Sequence, residues 1–157
     1  MKTDLIHQTK VLPVLPEERS LMLLKILLAA QQRGRAIDII DLHRIMVVVS
    51  KAFSGGGINL GYSFQNQNLY GVHDRLLIQD LQILMSFVLV IEEGGGHLLV
   101  TNFGSDHIQI CDYKTKHFGL SHQELNRIIK TGLDEGFSSI PTATSQWWKA
   151  AAAFTVG

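Results

Sequence analysis

Apolar residues gather into blocks along this chain, and the spacing within each block names an element. Leu21, Leu24 and Leu28 recur at helical spacing, and Leu23, Ile26, Leu27 and Ala30 widen the stripe to most of the circumference, the pattern of a central core helix. Pro16 fits a first helical position, Glu17 and Glu18 lie where the helix dipole favours negative charge, and Gly34 stands where a C-terminal cap is expected. The first helix is therefore predicted over about 16–33. A second begins after Asp38 as cap and runs through Leu42, Ile45, Met46 and Val49 to about Phe53, although the β-branched run Val47 to Val49 argues in part for a strand. Gly55 to Gly57 break it. From Ile58 to Gly71, Leu60, Tyr62, Phe64, Leu69 and Tyr70 flank the polar run Gln65 to Asn68 and predict a hairpin or a pair of short strands.

A third helix is expected from His73 or Asp74, with Leu77, Leu81, Leu84 and Val88 inward. Val88 to Glu93 and His97 to Thr101, joined by three glycines, predict a second hairpin. Ser121 with Glu124 is a capping-box signature for a last helix over about 122–134, ended by Gly136. Helix, helix, hairpin insertion, helix and wing, with an additional C-terminal helix and a tail, is an α+β winged-helix order. The expected organisation is an N-terminal arm over 1–14, the domain over 15–136, and a linker with a tryptophan-containing tail over 137–157.

With 157 residues, 46% of them hydrophobic, the chain can build one core but not two. Fourteen basic and fourteen acidic residues cancel, so there is no global positive field, and any nucleic-acid contact must come from a local patch. The apolar blocks are too short and too charged to span a bilayer, and the N-terminus lacks a signal-peptide pattern, so a cytoplasmic protein without membrane contact is expected.

Signals for catalysis are weak. Neither triple-glycine run is followed by the Lys-Ser/Thr pair of a nucleotide loop. The seven histidines are scattered; His117 with His122, and Asp106 with His107, would each supply only two metal ligands. Cys111, in the β-prone run Ile108 to Cys111, reads as a structural cysteine. No enzyme activity, cofactor, metal or small-molecule substrate is expected.

Partner binding is the remaining class. The outward side of the third helix is expected to carry His73, Asp74, Arg75, Gln79, Asp80, Gln82 and Ser86, one arginine against two aspartates, which disfavours phosphate contact. Arg75 is the candidate base-reading residue, and Lys114, Lys116, Arg127 and Lys130, with His117 among them, are the candidate phosphate contacts. Trp147, Trp148 and Phe154 form a candidate partner-binding tail, with docking on a partner and packing back on the domain both open.

The run "LMLLKILLAA", "AIDIIDLHRIM", "LYGVHDRLLIQDLQIL" and "VLVIEEGGGHLLVT", then "NFG", resembles a group of prokaryotic winged-helix proteins whose wing ends in Thr-x-x-Gly, matched by Thr101 and Gly104. The resemblance covers about residues 20–104. The group includes the middle components of ABC-type three-component defence systems, in which a small subunit bridges an SMC-like ATPase and an effector; Panacea-type antitoxin domains are similar. The resemblance implies an adaptor subunit whose partner is a larger ABC/SMC-like ATPase, acting against phage or plasmids, with DNA contacted through the complex. A DNA-binding transcriptional regulator or an antitoxin is the alternative.

Overall fold

A computed structural model describes residues 16–35, 37–68, 71–111 and 118–138; over 65–68, 71–73 and 137–138 only the backbone is described. The chain is α+β. In order, the elements are α1 (Pro16–Gln32), α2 (Ile39–Gly55), β1 (Gln65–Asn68), β2 (Gly71–His73), α3 (Arg75–Ser86), β3 (Val90–Glu93), β4 (His97–Val100), α4 (Asn102–Cys111) and α5 (His122–Ser138).

The apolar circumference of α1 makes it the hub. Leu21, Met22, Leu23, Leu24, Ile26, Leu27 and Ala30 are all buried, and α3, α4, β4 and α5 pack around them. The helix closes with Gly34 at φ +74°, its N–H donating to Gln31 O and the Arg35 N–H donating to Ala30 O, so that a left-handed glycine satisfies carbonyls of the last turn. Asp38 then caps α2 in a reciprocal box: the Asp41 N–H donates to Asp38 Oδ1 at 2.8 Å, and the Asp38 N–H to Asp41 Oδ2 at 3.3 Å. Burial, and then the neighbouring Asp38 charge, raise the Asp41 carboxyl above its ordinary value. Helical pairing satisfies the backbone through Val47–Val49 and overrides their β propensity. His43 is buried on this helix, its Nδ1–H donating to Ile39 O at 2.7 Å.

The expected pair of short strands after α2 is present but lies late in the segment. The polar run Gln65–Asn68 is itself a strand, paired antiparallel with Gly71–His73, while Leu60 and Tyr62 are buried in the preceding irregular segment. Backbone pairing places no demand on side-chain polarity, and Tyr62 is held by side-chain chemistry instead: its hydroxyl donates to Asp80 Oδ2 at 2.7 Å.

β3 and β4 pair antiparallel in the register Val90↔Val100, Ile91↔Leu99, Glu92↔Leu98 and Glu93↔His97. An isolated antiparallel bridge from Ile37 to Leu98, with the Leu98 N–H donating to Ile37 O at 2.8 Å, lays the α1–α2 connection along the other edge of β4.

The expected β run at Ile108 to Cys111 is instead the last turn of α4. Thr101 starts this helix: its Oγ1 accepts from the Gly104 N–H at 3.1 Å and donates to Val88 O at 2.6 Å. Thr-x-x-Gly is thus a helix cap plus a close approach, because a Cβ on Gly104 would collide with Leu89 O and come within 2.7 Å of Val100 Cγ1.

The Ser121/Glu124 box starts α5 as expected, with the Glu124 N–H donating to Ser121 Oγ at 3.2 Å. Gly136 does not end that helix, which continues to Ser138. Gly132 and Gly136 lie one turn apart on its α2-facing side, and a Cβ at Gly132 would be 2.5 Å from Val49 Cγ2, one at Gly136 2.9 Å from Ile45 Cα. The second glycine is there for contact, not termination. As α5 advances, its neighbour moves from Val49 back to Ile45, so the two helices run antiparallel.

Candidate functional site

Two of the expected outward residues of α3 point inward. Asp74 caps the helix, accepting the Leu77 N–H on Oδ1 at 2.8 Å and the Ser63 N–H on Oδ2 at 2.6 Å, and is buried. Asp80 is also buried and accepts from Arg19 Nε at 2.9 Å, Arg19 Nη2 at 3.3 Å and the Tyr62 hydroxyl. Pairing with Asp80 raises the Arg19 pKa above its ordinary value; burial, then the Asp80 charge, push the Tyr62 phenol well up. The guanidinium also lies 5.8 Å from the centre of the Tyr62 ring. This network joins α1, α3 and the segment before β1, and both aspartates are structural.

With the acids withdrawn, the exposed side chains of α3 are Arg75, Gln79, Gln82, Ile83 and Ser86, followed by Phe87 and Val88. The Val88 N–H donates to Met85 O and the Leu89 N–H to Leu84 O, the same pair of bonds that Gly34 and Arg35 make after α1. The residue in the left-handed position is here a valine, at φ +58°. A β-branched side chain is a strained occupant of that region. Val88, expected inward, is half exposed, since α3 stops at Ser86 and the helical phase is lost before residue 88.

The Thr101–Val88 hydrogen bond brings the start of α4 to this turn. Phe103 is 67% exposed and Ile110, two turns later on the same face, 63%; Phe87 is 69%. Among the described residues the exposed large apolar side chains are Ile83, Phe87 and Val88 at the end of α3 and Phe103 and Ile110 on α4, together termed the apolar band. Asp106 lies on the same face of α4 as Phe103, and Glu92 and Glu93 are exposed on β3. His97 is the exposed polar residue at the start of β4. The band was not expected from the sequence; its only signal is the absence of glycine after Ser86 and the aromatic residue in "NFG".

Of the candidate DNA contacts, Arg75, Arg127 and Lys130 are among the described residues. Arg75 opens α3, which packs on α1 and β3, whereas Arg127 and Lys130 are exposed on α5, which packs on α2 and α1. Lys130 instead borders a groove of about 470 Å³ between α1 and α5, with Lys25, Arg33, His122, Leu28 and Ile129 among its walls; Arg33 pairs with Asp134 at 2.7 Å. Lys114, Lys116, His117, Trp147, Trp148 and Phe154 lie outside the described residues, as do the arm at 1–14 and the tail beyond 138.

A second cleft, about 300 Å³, lies between α2 and the segment before β1 and is lined by Ser50, Lys51, Tyr62 and Phe64. Cys111 Sγ lies 3.4 Å from His107 Nε2 one turn earlier. Among the described residues no three His, Cys, Asp or Glu side chains gather as a metal site, and no helix is long and apolar enough to cross a membrane. Compared with models of known families and with curated proteins, the chain matches none.

Proposed function

We propose that the chain is a non-enzymatic winged-helix adaptor that docks a larger protein through the end of α3 and the outer face of α4. The order α1, α2, α3 and hairpin, with Ile37 bridged to Leu98 as a third strand position, supports the winged-helix assignment. The observation that carries the functional reading is the exposed apolar band. A reader of DNA presents cations and hydrogen-bond donors on its third helix and wing. Here the last turn of α3 and the residue after it expose Ile83 and Phe87, and the hairpin carries Glu92 and Glu93. Exposed aromatic anchors inside a polar rim are the anatomy of a protein interface, and the resemblance to middle components of three-component defence systems gives its partner as an SMC-like ATPase. The cytoplasm is the corresponding compartment.

DNA contact is the second reading, and the inward turn of Asp74 and Asp80 favours it, because Arg75, Gln79 and Gln82 then face solvent without an acidic neighbour on α3. One experiment separates the two. The chain is co-expressed with an SMC-like ATPase, the proposed partner, and Phe87→Asp with Phe103→Asp is compared with charge reversal at Arg75, Arg127 and Lys130. The adaptor reading expects co-purification to be lost in the first variant and kept in the second. Co-purification kept in the first variant, or duplex binding at about 50 mM salt that the second abolishes, overturns it.

A further inference from the structure

We infer that the groove between α1 and α5 seats an amphipathic helix of a second protein, one that carries carboxylates beside its apolar stripe. The two helices run parallel and are tied near both ends. At their starts Glu18 Oε2 accepts the Phe118 N–H at 3.0 Å, and at their ends Arg33 Nη1 donates to Asp134 Oδ1 at 2.7 Å. The groove of about 470 Å³ lies between these helices.

The walls decide the mode of binding. Both are α-helices, which pair their backbone groups internally, so neither offers a strand edge to an extended peptide. A helix laid in the groove needs no such pairing. The lining runs from Lys25 to Arg33 on α1 and from His122 to Leu133 on α5. At 1.5 Å per residue these stretches are about 12 and 16 Å long, two to three turns of an incoming helix. Leu28 and Ala29, both half-buried, and Ile129 give that helix an apolar wall for side chains spaced at i, i+3 or i+4, and i+7.

Charge names the chemistry of the occupant. Lys25, Arg33 and Lys130 line the groove, and none of the described residues lining it is Asp or Glu. Such walls attract carboxylates and repel a basic helix. A nucleic-acid backbone would meet the cations but set its phosphates against Leu28 and Ile129. A helix with carboxylates flanking an apolar stripe satisfies both parts of the wall. The groove is built from α1 and α5, whereas the apolar band belongs to α3 and α4, so the inference does not rest on the docking reading above.

The probe is a fluorescein-labelled synthetic helix of about 18 residues, long enough to hold helical structure, with leucine at the stripe positions and glutamate beside them. It is titrated with the purified full chain and followed by anisotropy. Saturable binding is expected, about tenfold tighter than that of a peptide of the same composition with the leucine spacing scrambled, or of one with lysine in place of glutamate. Asn126 and Lys130 line the groove and are exposed, so Asn126→Glu with Lys130→Glu should keep the far-ultraviolet spectrum and weaken binding about tenfold. Phe87→Asp should bind the peptide as the parent does. Absence of saturation up to about 1 mM overturns the inference. So does equal binding of the scrambled acidic peptide, which would be charge attraction without a seat, or binding that the double variant leaves unchanged. Tighter binding of a duplex DNA that Lys130→Glu abolishes assigns the groove to nucleic acid and overturns it too.

Discussion

Replacing Val88 by glycine should make the protein more stable and a poorer binder at the same time. At φ +58° the valine holds a left-handed conformation that L-residues adopt at a penalty of about 1–2 kcal/mol, and glycine adopts it freely. Against that stands the larger backbone entropy glycine loses on folding, about 0.5–1 kcal/mol. The side chain is half exposed, so little burial is forfeited. The balance is a gain of about 0.5–1 kcal/mol, or a rise in Tm of about 1–4 °C for a domain of this size. The hydrogen bonds of the turn come from backbone groups and persist, as they do at Gly34. Loss of the exposed isopropyl group removes about 1 kcal/mol of contact from a docked partner, a five- to tenfold weakening. Urea unfolding followed by circular dichroism gives the first quantity, and titration with the proposed ATPase partner the second. A variant that is less stable than the parent would refute the strain argument. One that is more stable and binds equally well would remove Val88 from the docking face.

Other expectations follow from the packing. Asp80→Ala leaves the Arg19 guanidinium and the Tyr62 hydroxyl without their shared acceptor and should destabilise by about 3–5 kcal/mol in the same urea assay. Gly136→Ala gains helix propensity of about 1 kcal/mol, but its Cβ would press on the Ile45 backbone, and overpacking of about 1–3 kcal/mol should win; a rise in stability would mean the α2–α5 contact relaxes easily. The raised Asp41 carboxyl binds its proton more tightly folded than unfolded. Its favourable contribution is therefore present below the unfolded pKa and is lost as pH rises through the folded one. Relative to Asp41→Asn, the parent should accordingly lose stability across the carboxylate range and hold a constant difference above it, as read from Tm against pH.

Much of the fold was legible because local rules and tertiary packing agree in most of the chain. Pro16, the Asp38 cap, Gly34 and the Ser121/Glu124 box each name an end that the structure keeps. Sequence reasoning missed where a residue serves two purposes. Gly136 resembles a helix stop and is a contact surface, because the same missing Cβ permits both. Ile108 and Ile110 resemble a strand, but the Thr101 cap commits the segment to helix, with Ile108 inward and Ile110 exposed. The site was less legible still. Asp74 and Asp80 read as surface acids, since the groups that hold them, the Ser63 amide, Arg19 and Tyr62, lie distant in sequence. The apolar band joins the end of α3 to α4 through one backbone carbonyl and one threonine hydroxyl, a juxtaposition that periodicity does not encode.

Hydrogen exchange on the chain with and without the proposed ATPase partner tests the location of the docking face most directly. The account predicts added protection over residues 83–91 and 101–110, with α5 and the α1–α5 groove unchanged. Protection confined to α5, or none over the end of α3 and α4, would contradict it.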